Sequence, residues 1–233
     1  MPSSGPGATA SDYFGGMVAS YDSLMRRAVP RYEEMTARLL DYLPSSAARV
    51  LELGTGTGNL TLKLAERYPG AAITSVDAAP EMIALARARL EAARPQTARA
   101  ARFVPARFEE LELPAGGFDL VTSCISLHHV ADKAALYRRL HRALAPGGTF
   151  RFADQLAGGT DANHVLNWTR WLEFCREPGH CAEEEVQSLL DHAAAHDHYT
   201  PLRHHFRWLE AAGFHDCDCV WRNWIWGIVT ADR

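Results

Sequence analysis

No apolar run in the 233-residue chain is long enough to cross a membrane, so no membrane partner is expected. The first residues, Met1-Pro-Ser-Ser-Gly-Pro-Gly7, lack the charged-then-apolar layout of a signal peptide, and residues 1–10 are expected to form a disordered tail. Cysteine is sparse. The five present are odd in number and lack the spacing of a disulfide scaffold, which fits a reducing cytosol and predicts a cytoplasmic protein. Positive charge is not in excess: a net charge of −4 excludes a general polyanion binder, and no nucleic-acid partner is expected. Metal signatures are missing too. There is no C-x-x-C pair, and H-E-x-x-H fails after His192 because Ala193 takes the place of glutamate. His192 and His196 stand one helical turn apart, and His215, Cys217 and Cys219 share one strand face. These groups are read as pocket-lining or surface residues, and no metal is expected. The dinucleotide fingerprint G-x-G-x-x-G is also absent, because Asn59 falls in its last place counting from Gly54 and Thr61 does so counting from Gly56.

What is present, with 47% hydrophobic residues, is enough for one compact α/β domain with a small accessory cap. Its organising stretch is Val50-Leu-Glu-Leu-Gly-Thr-Gly-Thr-Gly58, a buried strand breaking into a glycine-rich turn, followed by apolar positions at helical spacing from Asn59 to Arg67. Glycines at 54, 56 and 58 allow positive φ and close approach of a ligand, and the helix start offers free N–H donors. A second strand, Ala72 to Val76, ends in Asp77, the spacing at which an acidic residue accepts ribose hydroxyls. Further strands are read at Arg102–Val104, Phe118–Ser123, Thr149–Ala153, Asp216–Trp221 and Ile225–Thr230, with helices at Lys133–Leu144, Glu183–His198 and Pro201–Ala212.

The turn resembles motif I of the class I S-adenosylmethionine (SAM) dependent methyltransferases, E/D-x-G-x-G-x-G, with Glu52 as the acidic residue. More of that family's phrases follow in order: Asp77-Ala-Ala-Pro-Glu-Met82, Phe118-Asp-Leu-Val, Leu144-Ala-Pro-Gly-Gly148 and Leu209-Glu-Ala-Ala-Gly-Phe214. The resemblance implies a Rossmann-like α/β fold, a seven-stranded mostly parallel sheet with an antiparallel last strand. It also implies a helical N-terminal lid at 11–43, a SAM-binding domain at 44–233 and a helical insert near 155–198. The cofactor-binding residues it implies are Glu52, Gly54, Thr55, Gly56, Gly58, Asp77, Ala78, Met82, Arg107, Phe108 and Ser123. Where the family carries an acidic residue for the adenine amino group, this chain has Ala106-Arg107-Phe108. Either Met82 or Phe108 then covers the adenine face, with backbone groups of Arg107 and Phe108 replacing the carboxylate.

Within the lid, Tyr13, Phe14, Met17, Tyr21, Leu24 and Met25 form a stripe at helical spacing that restarts after Val29-Pro30. The run around Pro30-Arg-Tyr32 resembles the carboxy-SAM synthase branch, in which the tyrosine after the proline contacts the cofactor. Tyr32, and secondarily Tyr21, are cofactor contacts on that resemblance, while Arg26, Arg27 and Arg31 are read as solvated helix charges. That branch holds its extra carboxylate with an arginine, and His198 stands in its place here. Ordinary SAM is therefore expected, with His198 and Tyr199 in the substrate pocket.

His128 and His129 close the loop after the fourth strand, where they either support the loop or remove a proton from an acceptor. The expected activity is in-line transfer of the sulfonium methyl to a small-molecule acceptor, driven by alignment and exclusion of water. The alternatives are carboxy-SAM synthase-like chemistry without methyl transfer and a non-catalytic SAM sensor. For assembly, the resemblance suggests a homodimer.

Overall fold

Strand β1 (Arg49–Leu53) is buried from Val50 to Leu53 in the computed structural model, which describes residues 20–233. Both of its faces are covered, so its sequence is nearly continuous in apolar residues instead of alternating. It pairs in parallel with β2 (Ala72–Asp77) on one side and β4 (Phe118–Cys124) on the other. Beyond these lie β3 (Arg102–Pro105) and β5 (Leu144–Gln155), again parallel. The strands β6 (His215–Asn223) and β7 (Trp226–Asp232) complete a seven-stranded sheet in the order β3-β2-β1-β4-β5-β7-β6, in which β7 runs antiparallel to both neighbours. The expected sheet is therefore the observed one. Because β1 lies between β2 and β4, the winding changes direction at its carboxyl end, and open α/β sheets leave a ligand crevice at that point.

Alternation along the strands divides the core between the two faces. Val50, Ile73 and Leu120 join a cluster with residues of α1 (Tyr21–Ala28), α2 (Tyr32–Asp41), α3 (Asn59–Arg67) and α4 (Pro80–Ala93). Leu51, Leu53, Val76 and Val121 face the other way. After the short α5 (Pro95–Ala100), which periodicity misses because its six residues begin at a proline, the chain forms α6 (Lys133–Ala143). Residues of α6 cover that second face together with α9 (Leu202–Ala212). Both faces of the central strands are thereby covered, while the edge strand β6 stays largely half-buried or exposed.

The expected tail at 1–10 and the part of the expected lid before Ser20, including Tyr13, Phe14 and Met17, lie outside the described residues. From Tyr21 the helical pattern does break near Pro30, with Arg31 in the left-handed region at φ 61° leading into α2. Two longer helices, α7 (Asp161–Cys175) and α8 (Glu183–His196), pack against this segment. Trp171 of α7 donates its indole N–H to the Ala28 carbonyl at 2.8 Å. Arg27 grips Glu185 of α8 through both guanidinium nitrogens, at 2.6 and 2.8 Å, so it is a bridge between helices and not a solvated charge. The helix read as reaching His198 stops at His196, because Asp197 turns extended and His198 donates its N–H to the His128 carbonyl at 2.7 Å. That bond brings α8 to the end of β4.

Candidate functional site

Over the carboxyl ends of β1, β2 and β4 lies a cavity of about 520 Å³, within the range of small-molecule sites. Its floor is the glycine turn. Gly54 and Thr55 both donate their N–H groups to the Val76 carbonyl, at 2.8 and 3.0 Å, which draws the turn across the end of β2. The three glycines differ in what requires them. A Cβ at Gly54 would lie 2.3 Å from the Ser126 side chain, and one at Gly58 would lie 3.0 Å from Ala86 of α4. At Gly56 the nearest atom would be a Tyr21 ring carbon at 3.9 Å, so there the open space belongs to the cavity.

Asp77 closes the β2 side. Its carboxylate accepts the Gly56 N–H at 2.8 Å and the Ala79 N–H at 2.9 Å, which fixes its orientation at the cavity edge. Burial raises its pKa above the usual carboxylate range, opposed by those backbone donors. Behind the turn, Glu52 is fully buried and accepts at Oε2 from Ser75 (2.6 Å), Thr61 (2.6 Å) and Thr55 (3.3 Å), while Oε1 has no hydrogen-bond partner among the described residues. Burial pushes Glu52 up to about 7 against the pull of those hydroxyls.

Tyr21 and Tyr32 form the roof, and burial pushes both phenols well above their usual range, leaving them protonated at neutral pH. The roof is tied to the floor by Asp22, whose carboxylate accepts from Thr57 (2.5 Å), Asn59 (2.9 Å) and Arg89 (3.0 Å). Met82, Arg107 and Phe108 line one end, and Arg139 anchors the Phe108 segment by donating to the carbonyls of Phe108 and Glu109. Ile125 lies in the wall with φ 58°, a costly conformation for a β-branched residue that fits a strained site. The thiol beside it, Cys124, is pushed up to about 12 by burial and stays protonated.

At the other end stand His129, His196 and His198. His129 Nδ1 lies 3.0 Å from Asp197 Oδ1, and His128 Nδ1 lies 2.5 Å from Asp154 Oδ1. Asp154 also accepts the backbone N–H groups of Leu127 (2.5 Å) and His128 (3.2 Å), so the 3₁₀ turn Leu127–His129 is locked onto β5. Burial opposes a charged ring at both histidines. In His128 the neighbouring Asp154 carboxylate wins and raises the pKa, whereas His129 remains below the usual range, with charge on His128 adding to the effect of burial.

The residues named from sequence are thus only partly gathered. Tyr21, Tyr32, Gly54, Thr55, Gly56 and Asp77 line the cavity, as do Ala78, Met82, Arg107, Phe108, His129 and His198. Glu52, Gly58 and Ser123 lie outside its wall. Glu52 supports the turn from beneath, Gly58 admits α4, and Ser123 shares a 2.7 Å hydrogen bond with Ser126, which in turn donates to the Leu53 carbonyl. His128 and Tyr199 border a second, smaller cavity, and the Tyr199 hydroxyl donates to Asp197 Oδ2 at 2.5 Å. Sequence reasoning missed Asp22, Asp154 and Asp197. The first sits inside a helical stripe, and the other two act through contacts made only by the fold.

Comparison with known proteins agrees with this architecture. A family described as a methyltransferase domain matches residues 50–148. Demethylmenaquinone methyltransferase of Thermus thermophilus is 42% identical over 106 residues, covering 46% of each chain. The chain spans about half the length of the curated relatives it matches. Among solved structures, phosphoethanolamine N-methyltransferase 2 of Haemonchus contortus, in complex with phosphomonomethylethanolamine and S-adenosylhomocysteine, superposes with a TM-score of 0.66 at 19% identity, covering 92% of this chain and 47% of that one. A SAM-dependent methyltransferase from Mesorhizobium loti superposes at 0.61 with 21% identity, covering 84% and 96%.

Proposed function

We propose, for a chain that belongs to the class I SAM-dependent methyltransferase superfamily, that it binds SAM in the cavity above β1 and transfers its methyl group to a small-molecule acceptor. The observation that carries this reading is the open cradle at Gly56, facing Tyr21 across the cavity and set beside a fixed Asp77 carboxylate. A nucleoside with an amino-acid arm fits such a donor set: backbone N–H groups and a glycine at one place, a carboxylate acceptor at the next, and Met82 with Phe108 as apolar faces beyond. When bound, SAM supplies an electrophilic methyl on a positively charged sulfur.

The chain's own residues do the rest. Asp77 accepts from ribose hydroxyls, Met82 or Phe108 covers the adenine, and the turn from Gly54 to Gly56 receives the amino-acid arm. Tyr21 and Tyr32 exclude water and present neutral hydroxyls toward the same space. His129 lines the acceptor end with His198, while His128 stands behind it, oriented by Asp154. Among the described residues, Arg107 is the only lysine or arginine of the cavity wall, and it lies at the adenine end with its side chain 61% exposed. Lys133 reaches the His198 carbonyl at 2.6 Å but is buried outside the cavity wall. No lysine or arginine among the described residues therefore lines the wall at the His198 end to hold a carboxylate, which favours ordinary SAM over a carboxylated derivative.

No helix among the described residues is long and apolar enough to cross a membrane. A cytoplasmic location, supported by five free thiols, and the homodimer implied by the resemblance go with this reading, as does the absence of a nucleic-acid partner. The test is calorimetric titration with SAM and S-adenosylhomocysteine, followed by a screen of small acceptors with a labelled methyl group. Binding of neither ligand by the folded protein would overturn the assignment. Binding without label transfer to any acceptor would leave a sensor.

A further inference from the structure

Three imidazole nitrogens surround one carboxylate oxygen at the acceptor end. Asp197 Oδ1 lies 3.0 Å from His129 Nδ1, 3.7 Å from His192 Nε2 and 3.8 Å from His128 Nε2. Only the first distance is that of a hydrogen bond. The His128, His129 and Asp197 donor atoms lie within 4.8 Å of one another. Donors bound to one metal ion at about 2.0 to 2.2 Å stand roughly 3 to 3.5 Å apart, and the separations of His129 Nδ1 and His128 Nε2 from Asp197 Oδ1, 3.0 and 3.8 Å, lie near that range. The surroundings fit as well. Asp154 takes the Nδ1 of His128 at 2.5 Å, which leaves Nε2 directed at the cluster, the carboxylate–histidine arrangement that orients metal-bound imidazoles. Tyr199 donates to the other oxygen of Asp197 at 2.5 Å, leaving Oδ1 toward the histidines.

We propose that His128 Nε2, His129 Nδ1 and Asp197 Oδ1, with His192 Nε2 as the adjoining fourth donor, form a site for one divalent transition-metal ion. Two or three imidazoles and one carboxylate suit zinc, iron(II), manganese or cobalt, whereas magnesium and calcium favour all-oxygen sets. The scaffold that holds the donors is rigid: His198 donates its N–H to the His128 carbonyl at 2.7 Å, and Lys133 bridges the carbonyls of Val130 (2.7 Å) and His198 (2.6 Å). His129 belongs to the wall of the large cavity, whereas His128, His192 and Asp197 border the smaller cavity behind it, so the site lies between the two, next to the space where the acceptor is placed. This deepens the methyl-transfer reading and rests on it for the acceptor alone. In it the histidine pair activates an oxygen-bearing acceptor by holding a Lewis acid, and not as a free base.

The experiment is metal analysis by inductively coupled plasma mass spectrometry on protein purified without chelator. Calorimetric titration of chelator-stripped protein with zinc, manganese and cobalt chlorides follows, with S-adenosylhomocysteine titrated in parallel. The expected result is one equivalent of metal, a cobalt spectrum with visible ligand-field bands, and metal affinity weakened at least a hundredfold in Asp197→Asn and ten- to a hundredfold in Asp154→Asn. Stripped wild-type protein that binds S-adenosylhomocysteine but takes up none of the three metals would overturn the site. Uptake unchanged in both variants would do the same by moving the metal elsewhere. Should Asp197→Asn fail to fold, the wild-type titration and Asp154→Asn still decide. Metal uptake without S-adenosylhomocysteine binding would sink the methyl-transfer reading and leave the site standing.

Discussion

Gly56 donates its backbone N–H to Asp77 Oδ2 at 2.8 Å, so the glycine turn after β1 and the end of β2 form one rigid edge of the cavity. Replacing Asp77 by alanine removes both the acceptor for a ribose and the acceptor that fixes the turn. Hydrogen bonds to a charged group contribute about 1.5 to 3 kcal/mol, so the expected loss in SAM affinity is on the order of ten- to a hundredfold. Asp77→Asn, which keeps one carbonyl oxygen, should lose less. Titration calorimetry on both variants checks this, and equal affinity in Asp77→Ala and wild type would remove Asp77 from the site.

Asp22 makes the same argument for the roof. It joins α1 to the floor through Thr57, Asn59 and Arg89, and its pair with Arg89 is about one-third exposed. Partial exposure reduces the value of the pair, and we expect Asp22→Ala to weaken SAM binding by about tenfold or somewhat less, with little change in the folded core. The informative comparison is between the dissociation rate of the cofactor and the melting temperature, because only the first should move markedly.

Much of this site could be read along the chain, and the reasons are local. The buried strand, the glycine turn and Asp77 lie within 28 consecutive residues whose period and turn chemistry require no knowledge of the fold. Asp154 and Asp197 carried no such signal. Asp154 is the next-to-last residue of β5, and Asp197 is the first extended residue after α8; what gives them meaning is the pairing of β4 with β5 and the bond from His198 to His128. His192 and His196 do stand one turn apart, with ring centroids 5.0 Å from each other, yet His192 turns toward Asp197 while His196 reaches the cavity wall. His215, Cys217 and Cys219, placed on one strand face by alternation, lie on edge strand β6 beside a register shift and an Asp216 at φ 50°. Alternation misled there because the strand is irregular.

Glu52 gives a prediction in pH. Its folded pKa of about 7 exceeds the usual value of 4.5, so the folded state holds a proton that the unfolded state releases between those values. The resulting stability is present below pH 4.5 and is lost as pH rises through about 7. Glu52→Gln mimics the protonated form and should therefore gain on wild type as pH rises, by up to about 3 kcal/mol at pH 8 relative to pH 4.5. Other buried groups, among them His205, which burial holds down at about 3, change stability in both proteins alike and cancel in the difference. Denaturant unfolding of the two proteins at several pH values measures it, and a constant difference would mean that the pKa of Glu52 is the same in the folded and unfolded states.

Two glycine substitutions separate support of the turn from contact with the ligand. At Gly54 a Cβ would meet Ser126 at 2.3 Å in addition to the strain of φ 77°, so Gly54→Ala should destabilise the protein by 2 kcal/mol or more, on the order of overpacking plus left-handed strain. Trimming the obstacle with Ser126→Gly should recover the overpacking part and leave the strain, about 1 to 2 kcal/mol. At Gly56 the added methyl meets nothing closer than the Tyr21 ring at 3.9 Å, and φ 50° is a conformation that alanine reaches at a similar strain cost alone. Gly56→Ala should consequently fold, with a melting temperature lowered by a few degrees, while its methyl group occupies the space assigned to the amino-acid arm of SAM. Loss of binding in a folded Gly56→Ala protein, set against loss of folding in Gly54→Ala, is the pattern that a ligand cradle requires. If both variants instead lost stability alike and Gly56→Ala still bound SAM, the turn would be a structural feature and the cofactor would have to sit elsewhere.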